Sequence, residues 1–155
     1  MIILGLGSNI GNKEDNIAKA LDQLKAFVTN IKFSKPYHSK ALLPENAPKE
    51  WDIDFINIAV SGNTKLNPFE LLKNIKAIEK NLDRIDRGFW SPREIDIDIL
   101  AIDDLIIESS ILTIPHKYLT ERDFVLFPLS EIEPNWQHPV IKKTASQLWQ
   151  DFIKN

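Results

Sequence analysis

The amino-acid sequence predicts an α+β fold of the ferredoxin-like type, a βαββαβ antiparallel sheet with packed helices and additional C-terminal helices. Two observations support this prediction. Apolar, strand-like runs are interleaved with two amphipathic helical segments, and further helical segments follow the last strand. The chain has 155 residues, enough for one compact domain with a substantial core but not for two ordinary ones. We therefore expect a single domain over residues 1–155.

The first part of the chain contains three predicted strands. Residues 1–4 are expected to form a strand that enters a glycine-containing loop at 5–11, and a helix with apolar residues at helical spacing follows. Residues 31–37 and 55–61 are predicted as the second and third strands. Between them a long irregular loop begins near His38, and loops of such length in compact domains are often functional.

The glycine-containing loop resembles known nucleotide-binding loops only in part. Its spacing is Gly-x-Gly-x-x-x-Gly, and the next strand ends without the acidic residue that binds ribose in dinucleotide-binding folds. It is not a P-loop, because Asn12 separates Gly11 from Lys13. What the sequence supports is a tight turn that lets a ligand approach the backbone.

The second part of the chain begins with a well-marked helix, which Asn67 caps and which has Pro68 in its first turn. A polar loop at 83–92 then leads to a strand that begins at Ile95.

Three further elements are predicted towards the C-terminus. A turn at 103–104 leads into a strand at 105–107, which gives a hairpin with the preceding strand. Residues 124–132 are expected to form two short helical pieces broken at Pro128, and Thr144 opens the last helix with a capping box.

The segment 92–100 alternates apolar and acidic residues from Ile95 onwards. Successive side chains of a strand point to opposite faces, so its isoleucines share one face and Asp96 and Asp98 share the other. Same-face neighbours lie roughly 6.5–7 Å apart at Cα, and two carboxylates that close repel each other unless a cation lies between them. Mg²⁺ with substrate phosphates meets that need. The alternative is the solvated outer face of an amphipathic strand.

The arginines are concentrated around these aspartates. The chain has four arginines, all between Arg84 and Arg122, whereas its fifteen lysines are spread along the sequence. The planar guanidinium group suits bidentate binding of phosphate. Carboxylates for a metal and guanidinium groups for phosphate are the groups that phosphoryl transfer requires. For any single arginine, chance or a structural ion pair stays an alternative.

Composition excludes several other classes of protein. The net charge of −3 gives no reason to expect nucleic acid or an anionic membrane as a partner. The absence of cysteine excludes a disulfide framework and thiol catalysis. The sequence shows neither a signal peptide nor an apolar run long enough to span a bilayer. We therefore expect a cytoplasmic protein that binds neither nucleic acid nor membrane.

Several motifs occur together in one order along the chain. The most specific is Trp90-Ser-Pro-Arg93 running into Asp96-Ile-Asp98, and segments 7–11, 55–57, 114–124 and 127–132 accompany it. Together they resemble the 6-hydroxymethyl-7,8-dihydropterin pyrophosphokinase family of folate biosynthesis, over nearly the whole chain. The resemblance implies an enzyme that transfers pyrophosphate from ATP to the hydroxymethyl group of the pterin and leaves AMP.

The resemblance also implies roles for individual residues. Asp96 and Asp98 match the family's ligands for two Mg²⁺ ions that bridge the triphosphate, and with Arg84 and Arg93 they form the implied catalytic group. The implied ATP site comprises Leu72, Lys76, Glu79, Arg84, Trp90, Arg93, Thr113, His116 and Arg122. The implied pterin site comprises Ser39, Phe55, Asn57, Asp96 and Phe124.

The chain departs from the family pattern at a few positions. Asp86 stands where the basic loop usually has its second arginine, and Arg87 is a candidate replacement. Lys40 replaces a usual proline in the long loop.

Two other functions suit a ferredoxin-like fold. A nucleic-acid binder stacks bases on exposed strand aromatics over a basic surface, whereas the strand face predicted here carries two aspartates on an acidic protein. A regulatory module would bind a nucleotide without chemistry, yet a sensor has no need of paired carboxylates among clustered arginines. We expect a monomer, working alone or as one module of a folate-pathway fusion.

Overall fold

A computed structural model describes residues 1–82 and 92–155 of the chain. The helices and strands, in chain order, are β1 (Ile2–Ser8), α1 (Lys13–Leu24), β2 (Thr29–Phe33), β3 (Tyr37–Ser39), β4 (Phe55–Asn63), α2 (Pro68–Asn81), β5 (Asp96–Ile102), β6 (Ile107–Glu108), β7 (Thr113–Ile114), α3 (Asp123–Ile132) and α4 (Ala145–Lys154). Single 3₁₀ turns occur at Lys49–Trp51 and Leu119–Glu121.

The main sheet has the strand order β2-β4-β1-β5, and its neighbouring strands are antiparallel. β3 also pairs with β4, so β2 and β3 follow one another along the same edge. This order, with α1 and α2 as the two crossover helices, confirms the predicted ferredoxin-like arrangement.

One face of the sheet is fully covered by α1 and α2. Alternate residues of the strands point to this face, as a strand period of two requires. They pack against apolar side chains of both helices, and this first core includes Leu4, Leu6, Ile56, Ile58, Ile97, Ile99, Ile17, Leu24, Leu71 and Ile75.

The opposite face of the sheet is covered over only part of its area. There α3 and α4 pack over Ile3 and Leu100, and these residues form a second core with Leu126, Leu129 and Leu148. Further along β1 the same face carries Gly5 and Gly7, which line a cavity. The C-terminal helices thus leave one end of this face open, and the candidate site lies there.

Two strand predictions need correction. β1 continues to Ser8, so Gly5 and Gly7 belong to the strand and the turn begins only at Asn9. The predicted strand 31–37 is interrupted at residues 34–36, where Pro36 has no N–H to donate and the Ser34 hydroxyl accepts from the Ala59 N–H at 2.9 Å.

Two predictions near the C-terminus were also wrong. The turn at 103–104 does not join a hairpin, because β5 pairs with β1 whereas β6 pairs with β7. Residues 123–132 form one helix despite Pro128. The buried side chains on either side of the proline fix the helix against the sheet, and this packing outweighs one lost backbone hydrogen bond.

No helix among the described residues is long and apolar enough to cross a membrane.

Candidate active site

The register of three strands places the predicted site residues side by side. Gly7 on β1 is opposite Asn57 on β4 and opposite Asp96 on β5. Gly5, two residues earlier on the same face, is opposite Asp98. Because the two glycines have no side chains, an open strip of backbone separates the carboxylates from Asn57.

This strip forms the floor of a cavity of about 290 Å³. Side chains from β3, β5, the segment 116–118 and the start of α3 surround it. Its lining consists of Gly5, Leu6, Gly7, Ser39, Lys40, Leu42, Phe55, Asn57, Ile58, Arg93, Asp96, Asp98, His116, Lys117, Tyr118, Arg122, Phe124 and Val125.

Asp98 is the carboxylate whose environment is most perturbed. Burial, followed by the charges of Asp96 and Glu79, raises the pKa of Asp98 to about 7, although Arg122 and Arg93 act in the opposite direction. About a third of its side-chain surface stays open to the cavity, with a relative exposure of 36%. A cation beside this group would favour its charged form.

Asp96 is paired with Arg93 from the segment that precedes β5. The distance from Arg93 Nη1 to Asp96 Oδ1 is 3.0 Å, and both side chains are about three-quarters buried. The pairing holds a guanidinium group at the edge of the carboxylate pair, where it can also reach an anionic ligand in the cavity.

Glu79 on α2 supports β5 from the other side. Its side chain is almost fully buried, and its Oε2 accepts a hydrogen bond from the Ile97 N–H at 3.0 Å. β5 is an edge strand, so this carboxylate satisfies a backbone donor located between Asp96 and Asp98.

His116 and its neighbours line the cavity from the segment between β7 and α3. The Tyr118 N–H donates to His116 Nδ1 at 3.2 Å, which places the proton of the neutral ring on Nε2, and Nε2 lies 4.0 Å from Asp98 Oδ1. Burial, and next the charge of Arg122, lower the pKa of His116. The Arg122 guanidinium carbon lies 4.6 Å from the centre of the Tyr118 ring, in a cation–π contact.

The β3–β4 side of the cavity presents an amide and aromatic rings. Asn57 Nδ2 donates to Ser39 Oγ at 2.8 Å and to the Tyr37 carbonyl at 3.2 Å. Phe55 and Phe124 line the cavity from β4 and α3. This side can bind a flat heterocycle through stacking and edge hydrogen bonds.

Most predicted site residues that the structure describes therefore line one cavity. Leu72, Lys76, Glu79 and Thr113 do not line it: the first three lie on α2 and the last on β7. Arg84, Arg87 and Trp90 fall outside the described residues, so their predicted roles stay predictions.

Sequence reasoning missed Leu42, Lys117, Tyr118 and Val125. The only available signal for Tyr118 was its position between His116 and Arg122.

The oxygen donors in the cavity suit Mg²⁺. Among the described residues no group of three or more His, Cys, Asp or Glu side chains could hold a metal alone. Mg²⁺, however, is typically bound through one or two carboxylates together with substrate phosphates and water. Asp96 and Asp98 supply such a pair, and burial, followed by the charges of Asp96 and Glu79, raises the pKa of Asp98.

An antiparallel sheet whose open face combines paired carboxylates, arginines and an amide-aromatic wall suits an enzyme that handles phosphates and a small heterocycle. Comparison with known proteins agrees. The family model of 7,8-dihydro-6-hydroxymethylpterin-pyrophosphokinase matches residues 3–134. The chain therefore belongs to this family, and it is an ATP-dependent pyrophosphokinase.

Curated relatives support the same conclusion. The 2-amino-4-hydroxy-6-hydroxymethyldihydropteridine pyrophosphokinase of Aquifex aeolicus is 44% identical over 146 residues, which are 94% of this chain and 88% of the relative. The protein of the same name from Synechocystis is 40% identical and matches 94% of this chain and 73% of its own length.

Some relatives are longer than this chain. The folate synthesis bifunctional protein of Chlamydia muridarum is 43% identical over 136 residues, but the match spans only 30% of its length. A crystal structure of Plasmodium falciparum HPPK-DHPS has the same fold, with a TM-score of 0.75, 18% identity, and a match to 99% of this chain and 44% of that one. The same fold thus occurs both in chains of this size and within fused proteins.

Proposed function

We propose that the chain transfers pyrophosphate from ATP to the hydroxymethyl group of 6-hydroxymethyl-7,8-dihydropterin, with release of AMP, in folate synthesis. The observation that carries this proposal is the strand register, which places Asp96 on one side of Gly7 and Asn57 on the other. A carboxylate that would hold Mg²⁺ with the phosphates and an amide that would bind a heterocycle are therefore neighbours across one residue of open backbone.

The pterin is assigned to the side of the cavity formed by β3, β4 and α3. Asn57 would read the polar edge of the ring, with Ser39 as its hydrogen-bonding neighbour, and Phe55 and Phe124 would contact the ring faces. Asp96 borders this position from the opposite side of Gly7.

The phosphates are assigned to the side formed by β5 and residues 116–122. Arg93, Arg122 and His116 line the cavity there, and we assign them as donors to the phosphates, His116 through its Nε2–H. Arg84 lies outside the described residues, and its contact with phosphate is a proposal from the sequence alone. We assign the adenosine to the part of the site towards α2 and β7, with contacts from Leu72, Lys76, Glu79, Thr113 and Trp90.

Asp96 and Asp98 are the residues that would hold Mg²⁺. We propose that they hold two ions, the number that the family resemblance implies. Bound Mg²⁺ would neutralise phosphate charge and orient the triphosphate. The pKa of Asp98 is raised to about 7. A cation bound beside Asp98 would lower this pKa and so favour the charged carboxylate.

The transfer is an in-line displacement at the β-phosphorus. A bond forms between the hydroxymethyl oxygen and this phosphorus, while the bond from the phosphorus to the bridging oxygen of the α-phosphate breaks. The bond electrons leave with AMP, and the hydroxyl proton passes to solvent. Arg93 and Arg122 stabilise the charge on the transferred group, and the fixed sheet positions both substrates, so positioning and electrostatics provide the catalysis.

Phosphorus NMR of the protein with Mg-ATP, with and without the pterin, tests this function. We expect AMP formation that depends on the pterin, stops with EDTA and releases no free pyrophosphate. Formation of ADP would show an ordinary kinase that transfers at a different phosphorus. Bound ATP without turnover would instead favour a regulatory module.

A further inference from the structure

Asn9 is a buried polar residue that does not line the cavity but contacts two segments that do. It follows β1 directly, and 1% of its surface is exposed. Its Oδ1 accepts a hydrogen bond from the Arg93 N–H at 2.8 Å, and its Nδ2 donates to the Ile53 carbonyl at 3.0 Å. One amide side chain therefore joins parts of the chain that are far apart in sequence.

Each of the two segments carries a residue of the proposed site. The first contains Arg93, whose guanidinium group pairs with Asp96 at the phosphate side. The second ends the long loop before β4, and Ile53 lies two residues before Phe55 on the pterin side. The Asn9 side chain therefore lies between the anchor points of the two halves of the site.

Neighbouring contacts hold the same two segments. The Asn9 N–H donates to the Arg93 carbonyl at 3.1 Å, and Ser8 Oγ donates to the Glu94 carbonyl at 2.5 Å. Lys13 Nζ donates to the Asp54 carbonyl at 2.7 Å. The turn after β1 is thus a common support for both segments.

The contacts of Asn9 require an amide. One end must accept from an N–H and the other must donate to a carbonyl, and no charged side chain of the same size does both. An aspartate would place a carboxylate oxygen against the Ile53 carbonyl. An alanine would leave the partly buried N–H of Arg93 and carbonyl of Ile53 without this partner, which costs more than the loss of an exposed hydrogen bond.

We propose that Asn9 is a positioning residue for the reaction, whose amide fixes Arg93 and the Phe55 end of the long loop relative to each other. The phosphate and pterin halves of the site are then set by one side chain that touches neither substrate. This inference rests on the proposed function, because the two halves must be aligned only if one substrate attacks the other.

A double-mutant cycle with Arg93 tests the proposal. Arg93→Ala removes the guanidinium group but keeps the backbone N–H that donates to Asn9 Oδ1. We expect Asn9→Ala to lower kcat by about tenfold in the wild-type chain and by less than about threefold in the Arg93→Ala background. A merely structural role would reduce kcat by the same factor in both backgrounds, and that result would overturn the proposal.

Asn9→Asp provides a test in a variant of the same shape. It keeps the acceptor for Arg93 and loses the donor for Ile53, so we expect the KM for the pterin to rise by about tenfold and the KM for ATP by less than about threefold. An unchanged pterin KM would overturn the proposal. The two substitutions disturb the site in different ways, so either variant that folds decides the matter.

Asn16→Ala is the matched control. From α1, its Nδ2 donates to Ser8 Oγ at 3.3 Å and to the Ile10 carbonyl at 3.1 Å, so it contacts the same turn without joining the two segments. We expect both KM values of this variant to equal those of the wild type, and a rise in its pterin KM equal to that of Asn9→Asp would overturn the proposal. If the wild-type chain forms no AMP, the proposed function itself fails, whereas additive losses in an active enzyme reject only the role of Asn9.

Discussion

Asp98 is largely buried, and the charges of two carboxylates and two guanidinium groups act on it. Burial is the largest cause of its raised pKa, and Asp96 and Glu79 add to it, while Arg122 and Arg93 oppose it. A carboxylate in such surroundings gains more from a bound cation than an exposed one, because water screens the interaction less.

Asp98→Asn keeps the size of this side chain and removes its negative charge. We expect pyrophosphate transfer to fall by at least ~100-fold, the scale of one lost electrostatic stabiliser. The measurement is the rate of AMP formation at saturating ATP and pterin. Asp104→Asn, in an exposed turn, is the control and is expected to match the wild type. Turnover near the wild-type rate in Asp98→Asn would rule out the assigned metal site.

Gly7 must lack a side chain for the pterin side to form. A Cβ atom there would lie 2.9 Å from Asn57 Oδ1 and 3.4 Å from Phe55 Cδ1. Asn57 cannot move away freely, since its Nδ2 is held by Ser39 Oγ and the Tyr37 carbonyl. A substitution at Gly7 therefore disturbs the residue that we assign to the ring edge.

Gly7→Ala is expected to raise the KM for the pterin by about tenfold, the effect of one impaired buried hydrogen bond, and to leave the KM for ATP nearly unchanged. Gly5→Ala is the control on the same face of β1. A Cβ atom at Gly5 would lie 3.4 Å from the Leu100 side chain, which can adjust, so we expect a smaller effect on the pterin. Steady-state kinetics with each substrate varied in turn measures both, and equal pterin KM values for the two variants would contradict this role of Gly7.

At the residue scale, the sequence was informative where local pattern carries chemistry. Asp96 and Asp98 could be placed on one face because a strand alternates its side chains. Asn9 and Tyr118 could not be predicted, because their roles depend on contacts with residues distant in sequence or with a ring stacked on Arg122.

At the scale of elements, the sequence predicted helices well where capping residues mark their ends. Asn67 and Thr144 both form the capping boxes expected from the sequence. The pairing of short strands was predicted less well. β6 and β7 have two residues each, so tertiary contacts rather than local pattern decide their partner.

The cap of α2 allows a stability prediction. Asn67 Oδ1 accepts from the Glu70 N–H at 2.9 Å, and Glu70 Oε1 accepts from the Asn67 N–H at 3.1 Å. Asn67→Ala removes one of these bonds and is expected to lower the free energy of unfolding by about 1 kcal/mol. Urea denaturation measures this change.

Asn74→Ala on the same helix is the control for that prediction. Asn74 is half-buried in the helix, and its Nδ2 donates to the Glu70 carbonyl at 2.8 Å. Because alanine has the higher helix propensity, which offsets the loss of this bond, we expect a net change of less than about 0.7 kcal/mol. A similar loss of stability in both variants would show that the cap is not the cause.

At the scale of the whole molecule, His138 makes stability depend on pH. Its Nδ1 accepts from the N–H groups of Val140 and Ile141, each at 3.2 Å, and its ring packs edge-on against Trp136. Burial lowers the pKa of His138 below its ordinary value of 6.5, so the folded state disfavours the protonated ring. The stability that the neutral ring contributes is fully present above the pKa of the unfolded state. It is lost as the pH falls from there through the lower pKa of the folded state.

His138→Asn replaces Nδ1 with an acceptor that does not titrate in this range. We expect the urea midpoint of the wild type to fall more than that of the variant between about pH 7.5 and about pH 5.5. The difference between the two chains isolates His138, since His116 is present in both. Parallel losses in both chains would exclude His138 as a source of the pH dependence.

The two cores share a single sheet, and this arrangement predicts cooperative unfolding. Ile3 belongs to the core under α3 and α4, whereas its neighbour Leu4 belongs to the core under α1 and α2. β1 is central, paired with β4 on one side and β5 on the other, so neither core can open while β1 keeps the other in place.

We therefore expect one domain in the thermodynamic sense, with urea curves from far-ultraviolet circular dichroism and tryptophan fluorescence that coincide. Trp136 and Trp149 report on the second core, while helix content reports on both. An earlier fluorescence transition would show instead that α3 and α4 dissociate from a sheet that remains folded on α1 and α2.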